Sequence, residues 1–162
     1  MLNFVTASRH SREDFAHKSA LQRSLARLAN HTPAAAGVEP IALRVYPHNR
    51  LPLPVVYNEA VALADDQDIM IFVHDDVWID DWHVGHRLHE ALLRFDVVGV
   101  AGNRRRTPRQ ESWWWVGDTR QRDTVFLSGS IIQGPPGGGL LNIYGHAPAR
   151  VRSLDGVFLA TR

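Results

Sequence analysis

A chain of 162 residues with 44% hydrophobic and 9% aromatic side chains fits one domain and can bury a substantial core, which excludes wholesale disorder. Lys and Arg number 18 against 17 Asp and Glu, a net charge of +1, so no global field favours nucleic acid, acidic polymers or an anionic membrane, and any basic site is local. The cysteine count of 0 excludes disulfides, cysteine-ligated zinc and thiol catalysis, and suits a reducing compartment.

In chain order, Leu2 to Ala7 is a short apolar run with Val5 and Thr6, the pattern of a buried opening strand that stops at Ser8. Ser11 and Asp14 have capping-box spacing, and Leu21, Leu25 and Leu28 then recur at helical intervals until Asn30-His31-Thr32-Pro33, which predicts a helix. Ile41 to Tyr46 reads as a second strand, closed by Pro47-His48-Asn49-Arg50 and followed by Pro52 and Pro54, with a helix from Val56 to Ala64. Asp68 to His74 is a continuous apolar run of the kind that fills a sheet covered on both faces, and it ends in Asp75-Asp76. A helix from about Asp81 to Phe95 would turn Trp82, Leu88, Leu92 and Phe95 inward, before a strand from Val97 to Ala101.

This alternation predicts an α/β fold, a mostly parallel, right-handed Rossmann-like sheet flanked by helices. Beyond Gly102, the clusters Arg104–Arg106 and Trp113–Trp115 and the Gly134–Gly139 stretch indicate a loop-rich C-terminal part with short antiparallel pieces, including strands at Thr124 to Ile132 and Val157 to Ala160. No run reaches the ~18 apolar residues of a membrane span. The N-terminal Met1-Leu2-Asn3-Phe4-Val5-Thr6 lacks a signal-peptide layout, so a cytoplasmic protein without a membrane span is expected.

The sharpest chemical signal is Asp75-Asp76, two adjacent carboxylates just past a buried strand. A divalent cation relieves their repulsion, and hard oxygen donors suit Mn²⁺ or Mg²⁺. The plainer role is a helix cap, with Asp80 and Asp81 assisting. His74, His83, His86 and His89 do not follow the His-Glu-x-x-His zinc pattern, although His86 and Glu90 lie i,i+4. The Arg104–Arg106 and Trp113–Trp115 clusters offer cations for phosphate and flat rings for stacking, which suits a sugar nucleotide, a saccharide or single-stranded nucleic acid, and also a loop packed by its tryptophans. Gly134–Gly139 lacks the Gly-Lys-Ser/Thr ending of a phosphate loop and reads as a lid or connection.

Five segments in this order, Phe4-Val5-Thr6-Ala7-Ser8, Tyr57-Asn58-Glu59-Ala60, Ile71-Phe72-Val73-His74-Asp75-Asp76-Val77, Val98-Gly99-Val100-Ala101-Gly102-Asn103 and Leu154-Asp155-Gly156-Val157-Phe158-Leu159-Ala160, carry a family likeness. The chain resembles the family 2 glycosyltransferases of the GT-A fold, in their streptomycin-biosynthesis-like subgroup. The resemblance implies one domain over 1–162, with a nucleotide-binding part over 1–103 and an acceptor-side part over 104–162, that transfers a sugar from a nucleotide-diphosphate donor. By the same likeness Asp76 holds Mn²⁺ or Mg²⁺ with Asp75 as its partner. Thr6, Ala7, Ser8, Asn49 and Asp75 line the donor nucleotide pocket, and Asp155, Gly156 and Trp114 lie on the acceptor side. The family's chains continue past the Asp155-Gly156 segment into a region bearing a catalytic base, whereas this sequence stops at Arg162. A C-terminally truncated member is therefore expected, with Asp155 the only nearby acid that could substitute for the catalytic base and apolar surface at Val157–Ala160 that invites a homodimer. The alternative is a non-catalytic module that binds a nucleotide sugar or saccharide; a nucleic-acid contact through the Arg and Trp clusters is the third reading.

Overall fold

A computed structural model of the chain describes residues 1–31 and 40–162. The described residues divide into two compact units, Met1–Val98 together with Val157–Arg162, and Gly99–Gly156.

In the first unit, strands Leu2–Ala7 (β1), Ile41–Tyr46 (β2) and Ile69–Val73 (β3) lie parallel, with β1 in the middle. The registers run from Leu2 opposite Ile41 to Ala7 opposite Tyr46, and from Leu2 opposite Ile69 to Val5 opposite Phe72. Two further strands, Val97–Gly99 (β4) and, from the end of the chain, Phe158–Thr161 (β9), complete the order β2-β1-β3-β9-β4, with β9 antiparallel to β3. The second unit holds a four-stranded sheet in the order β7-β6-β5-β8, formed by Ala101–Asn103 (β5), Leu127–Gln133 (β6), Leu140–Gly145 (β7) and Ser153–Leu154 (β8). All of its pairings are antiparallel.

The mostly parallel, Rossmann-like sheet is therefore not what forms: one sheet is mixed and the other wholly antiparallel. The physical reason is that an apolar run specifies an extended segment but neither its direction nor its partner. Val157–Ala160 reads the same whichever way it enters the sheet. The single strand expected over Val97–Ala101 is two short strands in different sheets, separated at Val100. The expected apolar edge at Val157–Ala160 also fails to form, because β9 sits between β3 and β4.

The helix expected after β1 is two helices, Arg12–Lys18 (α1) and Ala20–His31 (α2). Ser11 caps the first, its side chain accepting from the Asp14 N–H at 3.0 Å. Ser19 breaks the run with extended backbone (ψ 129°) and caps the second, accepting from the Gln22 N–H at 3.1 Å. Leu21, Leu25 and Leu28 all lie in α2, beyond the break, which is why their spacing gives no sign of it. The break expected at Asn30–Pro33 begins where α2 ends; Thr32 and Pro33 lie outside the described residues. Leu53–Ala62 (α3) starts earlier than expected, with Pro52 at its cap and Pro54 in its first turn, where a missing N–H costs nothing. Val84–Leu92 (α4) is shorter than expected: Leu88 is buried and Leu92 packs on the core, while Trp82 precedes the helix and is exposed.

All five residues of β3 are buried, as a strand covered on both faces requires. Ile69, Ile71 and Val73 join Leu2, Phe4, the α2 leucines and Leu88 in one cluster, and Met70 and Phe72 join Val5 and Ala60 in another. The alternation of β3 thus feeds two helical layers. Gly134–Gly139 is the connection between β6 and β7, a hairpin in which the Gly138 N–H donates to Pro135 O at 3.1 Å and Gly137 takes φ +77°. No helix among the described residues is long and apolar enough to cross a membrane.

Candidate functional site

Parallel strands β1 and β2 end level with each other, Ala7 opposite Tyr46, and the chain beyond them is knitted rather than splayed. The Ser8 N–H donates to Tyr46 O at 3.0 Å, the Asn49 N–H to Ser8 O at 2.8 Å, and the His48 N–H to His10 O at 2.9 Å. His48 adopts φ +49° to make this turn, a left-handed conformation uncommon outside glycine. The result is a cleft of about 650 Å³ beyond the carboxyl ends of the two strands, lined by Ala7, Ser8, Arg9, His48, Asn49 and Arg50 with Leu51 and Leu53. Strand carboxyl ends are where open α/β sheets receive ligands.

Three of the expected donor residues, Ala7, Ser8 and Asn49, share this cleft. Asn49 spends its side chain on the loop: Oδ1 accepts from the Leu51 N–H at 3.1 Å and Nδ2 donates to Leu51 O at 2.9 Å. Thr6 is fully buried beneath, and its hydroxyl has no hydrogen-bond partner among the described residues. Asp75 is tied to the same place, because the Ser8 hydroxyl donates to its carboxylate while accepting from the His10 N–H at 3.1 Å. The Ser19 hydroxyl holds the Asp75 carbonyl at 2.8 Å. Asp75 is half-buried and Asp76 exposed; Asp76 has neither a hydrogen-bond nor an ion-pair partner among the described residues.

Two cationic residues escaped the reading of the sequence. Arg9 and Arg50 each stand one position beyond an expected residue, and neither has a carboxylate partner among the described residues. The signal was their adjacency to the strand ends. The histidines form no cluster: His86 pairs only with Glu90, at 3.4 Å on the surface of α4. No group of three or more metal-ligating side chains lies together among the described residues.

In the second unit, Arg104 and Arg105 face the Phe126 ring, and Arg105 grips the buried Asp123 through two hydrogen bonds of 2.8 and 2.9 Å. Asn103 donates to the same carboxylate at 2.9 Å. One residue of the arginine run is thus structural. Trp113, Trp114 and Trp115 lie ring beside ring, with centroids 6.0 and 6.4 Å apart and planes 23° and 14° from parallel. Trp114 stands in this array, whereas Asp155 follows β8 and donates its N–H to Ala101 O at 2.9 Å. At Gly156, expected on the acceptor side, an added Cβ meets nothing within 4 Å.

The Arg105 hydrogen bonds above all hold the Asp123 carboxyl below its usual range, against burial and with help from Asn103. A carboxyl with a lower folded than unfolded pKa stabilises the fold above the unfolded value, about 3.9, and that stability is lost as pH falls through the folded value. The urea midpoint of the wild type is therefore expected to drop as pH falls below about 4. Asp123→Asn is expected to be less stable at neutral pH and to show a flatter acid limb; parallel acid limbs for the two proteins would refute this role.

Comparison of the chain with protein-family models and with curated proteins finds no match.

Proposed function

We propose that the cleft at the ends of β1 and β2 binds a nucleoside-diphosphate sugar and that the protein is a glycosyltransferase. The observation that carries this reading is the pair of arginines without carboxylate partners, Arg9 and Arg50, in a cleft whose Ser8 also holds Asp75. Guanidinium groups match phosphate oxygens in geometry and charge, and the volume of about 650 Å³ lies within the usual range for a small-molecule site. Departure of a nucleoside diphosphate develops negative charge, and preplaced cations meet it without reorganisation.

Mn²⁺ or Mg²⁺ fits the residues present. Asp76 offers an exposed carboxylate with no partner among the described residues, Asp75 a second one oriented by Ser8, and such ions keep waters and take one or two carboxylates plus substrate phosphate. When bound, the ion supplies Lewis-acid stabilisation of the leaving diphosphate.

The test is thermal unfolding with UDP, GDP or dTDP, each with and without Mn²⁺. One nucleotide is expected to raise Tm, by about 2–4 °C per kcal/mol of linkage, and only with Mn²⁺ present. Asp76→Ala is expected to abolish the metal-dependent part and leave the unliganded Tm unchanged. No stabilisation by any of the three, or full Mn²⁺-dependent stabilisation of Asp76→Ala, would overturn the assignment.

A further inference from the structure

The second unit has a charge balance the whole chain conceals. Gly99–Gly156 contains eight arginines and no lysine against four acidic residues, a formal net charge of +4. Asp123 is occupied by Arg105, and Asp118 lies 3.8 Å from Arg109. Arg106, Arg120, Arg122 and Arg152 have no carboxylate partner among the described residues and are exposed.

Two of these four border the aromatic array. The ring sequence runs from Trp115 through Trp114 and Trp113 to Tyr144, the last pair edge-to-face at 5.0 Å. Arg120 lies over Trp115 at 5.8 Å and Arg122 over Tyr144 at 5.3 Å, one at each end. The array is held by backbone rather than by its own stacking. Trp115 and Arg122 form an antiparallel bridge, the Val116 N–H donates to Gln121 O at 2.9 Å, and the Asp123 N–H to Trp114 O at 2.8 Å. Trp114 is 38% exposed and its two neighbours are half-buried, so the rings present surface in a fixed arrangement, which lowers the entropy cost of binding.

We propose that this array is a binding site for an acidic saccharide. The C–H face of a pyranose ring lies on the indoles, whose faces carry the negative part of the ring quadrupole, and a sugar carboxylate pairs with Arg120 or Arg122 through two parallel hydrogen bonds. A single-stranded nucleic acid shares the taste for rings and cations. The unit's net charge of +4 suits the short ligand, because polymer binding draws on a far larger field. This assignment stands on the second unit's own residues and is independent of the donor cleft.

The experiment is calorimetric titration of the whole chain, without nucleotide or metal, using a short oligogalacturonate, an uncharged cello-oligosaccharide of equal length and an oligothymidylate of matched charge. Saturable binding of the oligogalacturonate is expected, with the uncharged oligomer at least tenfold weaker, as loss of a charge-assisted pair implies, roughly. Arg122→Gln and Trp114→Ala are each expected to weaken it by about tenfold with unchanged circular dichroism. Equal affinity for the uncharged oligomer, tighter and steeply salt-dependent binding of the oligothymidylate, or no binding of the oligogalacturonate would overturn the proposal. Because nucleotide is absent, failure here leaves the Tm test of the donor cleft untouched, and the converse holds.

Discussion

Gly129→Ala is expected to destabilise the protein by about 2–6 kcal/mol, combining strain at a positive φ with overpacking. Gly129 sits at φ +96°, and a Cβ added there would lie 2.0 Å from Val100 O and 2.9 Å from the Ala101 Cα. Those are backbone atoms, so no side chain can swing aside. The residue pairs with Ala101 on β5 and with Gly145 on β7, and the ladder shifts register between Gly129 and Ser130. Relief therefore requires β5 and β6 to part. The urea midpoint reads the size of the loss, and amide exchange locates it: protection should fall in β5, β6 and β7. A loss below about 1 kcal/mol would show that this sheet adapts far more readily than strained glycine sites generally do.

Phe4→Ala is expected to cost about 3–5 kcal/mol, a large part of the roughly 5–15 kcal/mol that holds a protein folded. Phe4 is fully buried on the central strand of the parallel ladder, opposite Leu43 on β2 and Ile71 on β3, and its cluster includes Leu21, Leu25 and Ala160. Strands on both sides restrain collapse into the cavity. Leu93→Ala is the matched control: Leu93 is 77% exposed, and its truncation should stay within about 0.5 kcal/mol. Comparable midpoints for the two variants would contradict the placement of the core.

The opening strands were legible because their apolar runs are short and punctuated; Leu2–Ala7 and Ile41–Tyr46 appear with the bounds that the sequence implies. The placement of Ser8 beside Asp75 was half legible, as two polar strand ends, and only parallel pairing through β1 joins residues so far apart in sequence. Other features had no local signature. β7 carries Leu140, Leu141 and Ile143 largely exposed, so it lacks the one-sided burial that periodicity detects, and β8 is two residues long. The second sheet was consequently legible only as short antiparallel pieces around the strand expected at Thr124 to Ile132, which forms as Leu127–Gln133. Arg9 and Arg50 were passed over because an exposed arginine is unremarkable until the fold sets two of them around one cleft.

The position of β9 bears on how the protein is made. Phe158–Thr161 lies between β3 and β4, so a ribosome delivers all of Gly99–Gly156 before the strand that joins those two can pair. The β2-β1-β3 ladder can zip early, whereas β4 must wait. Such long sequence separation slows folding through loop-closure entropy, and meanwhile the β3 edge, buried on both faces in the finished sheet, is open to pairing with other chains. Nascent chains stalled before residue 158 are thus the species in which aggregation during synthesis would concentrate.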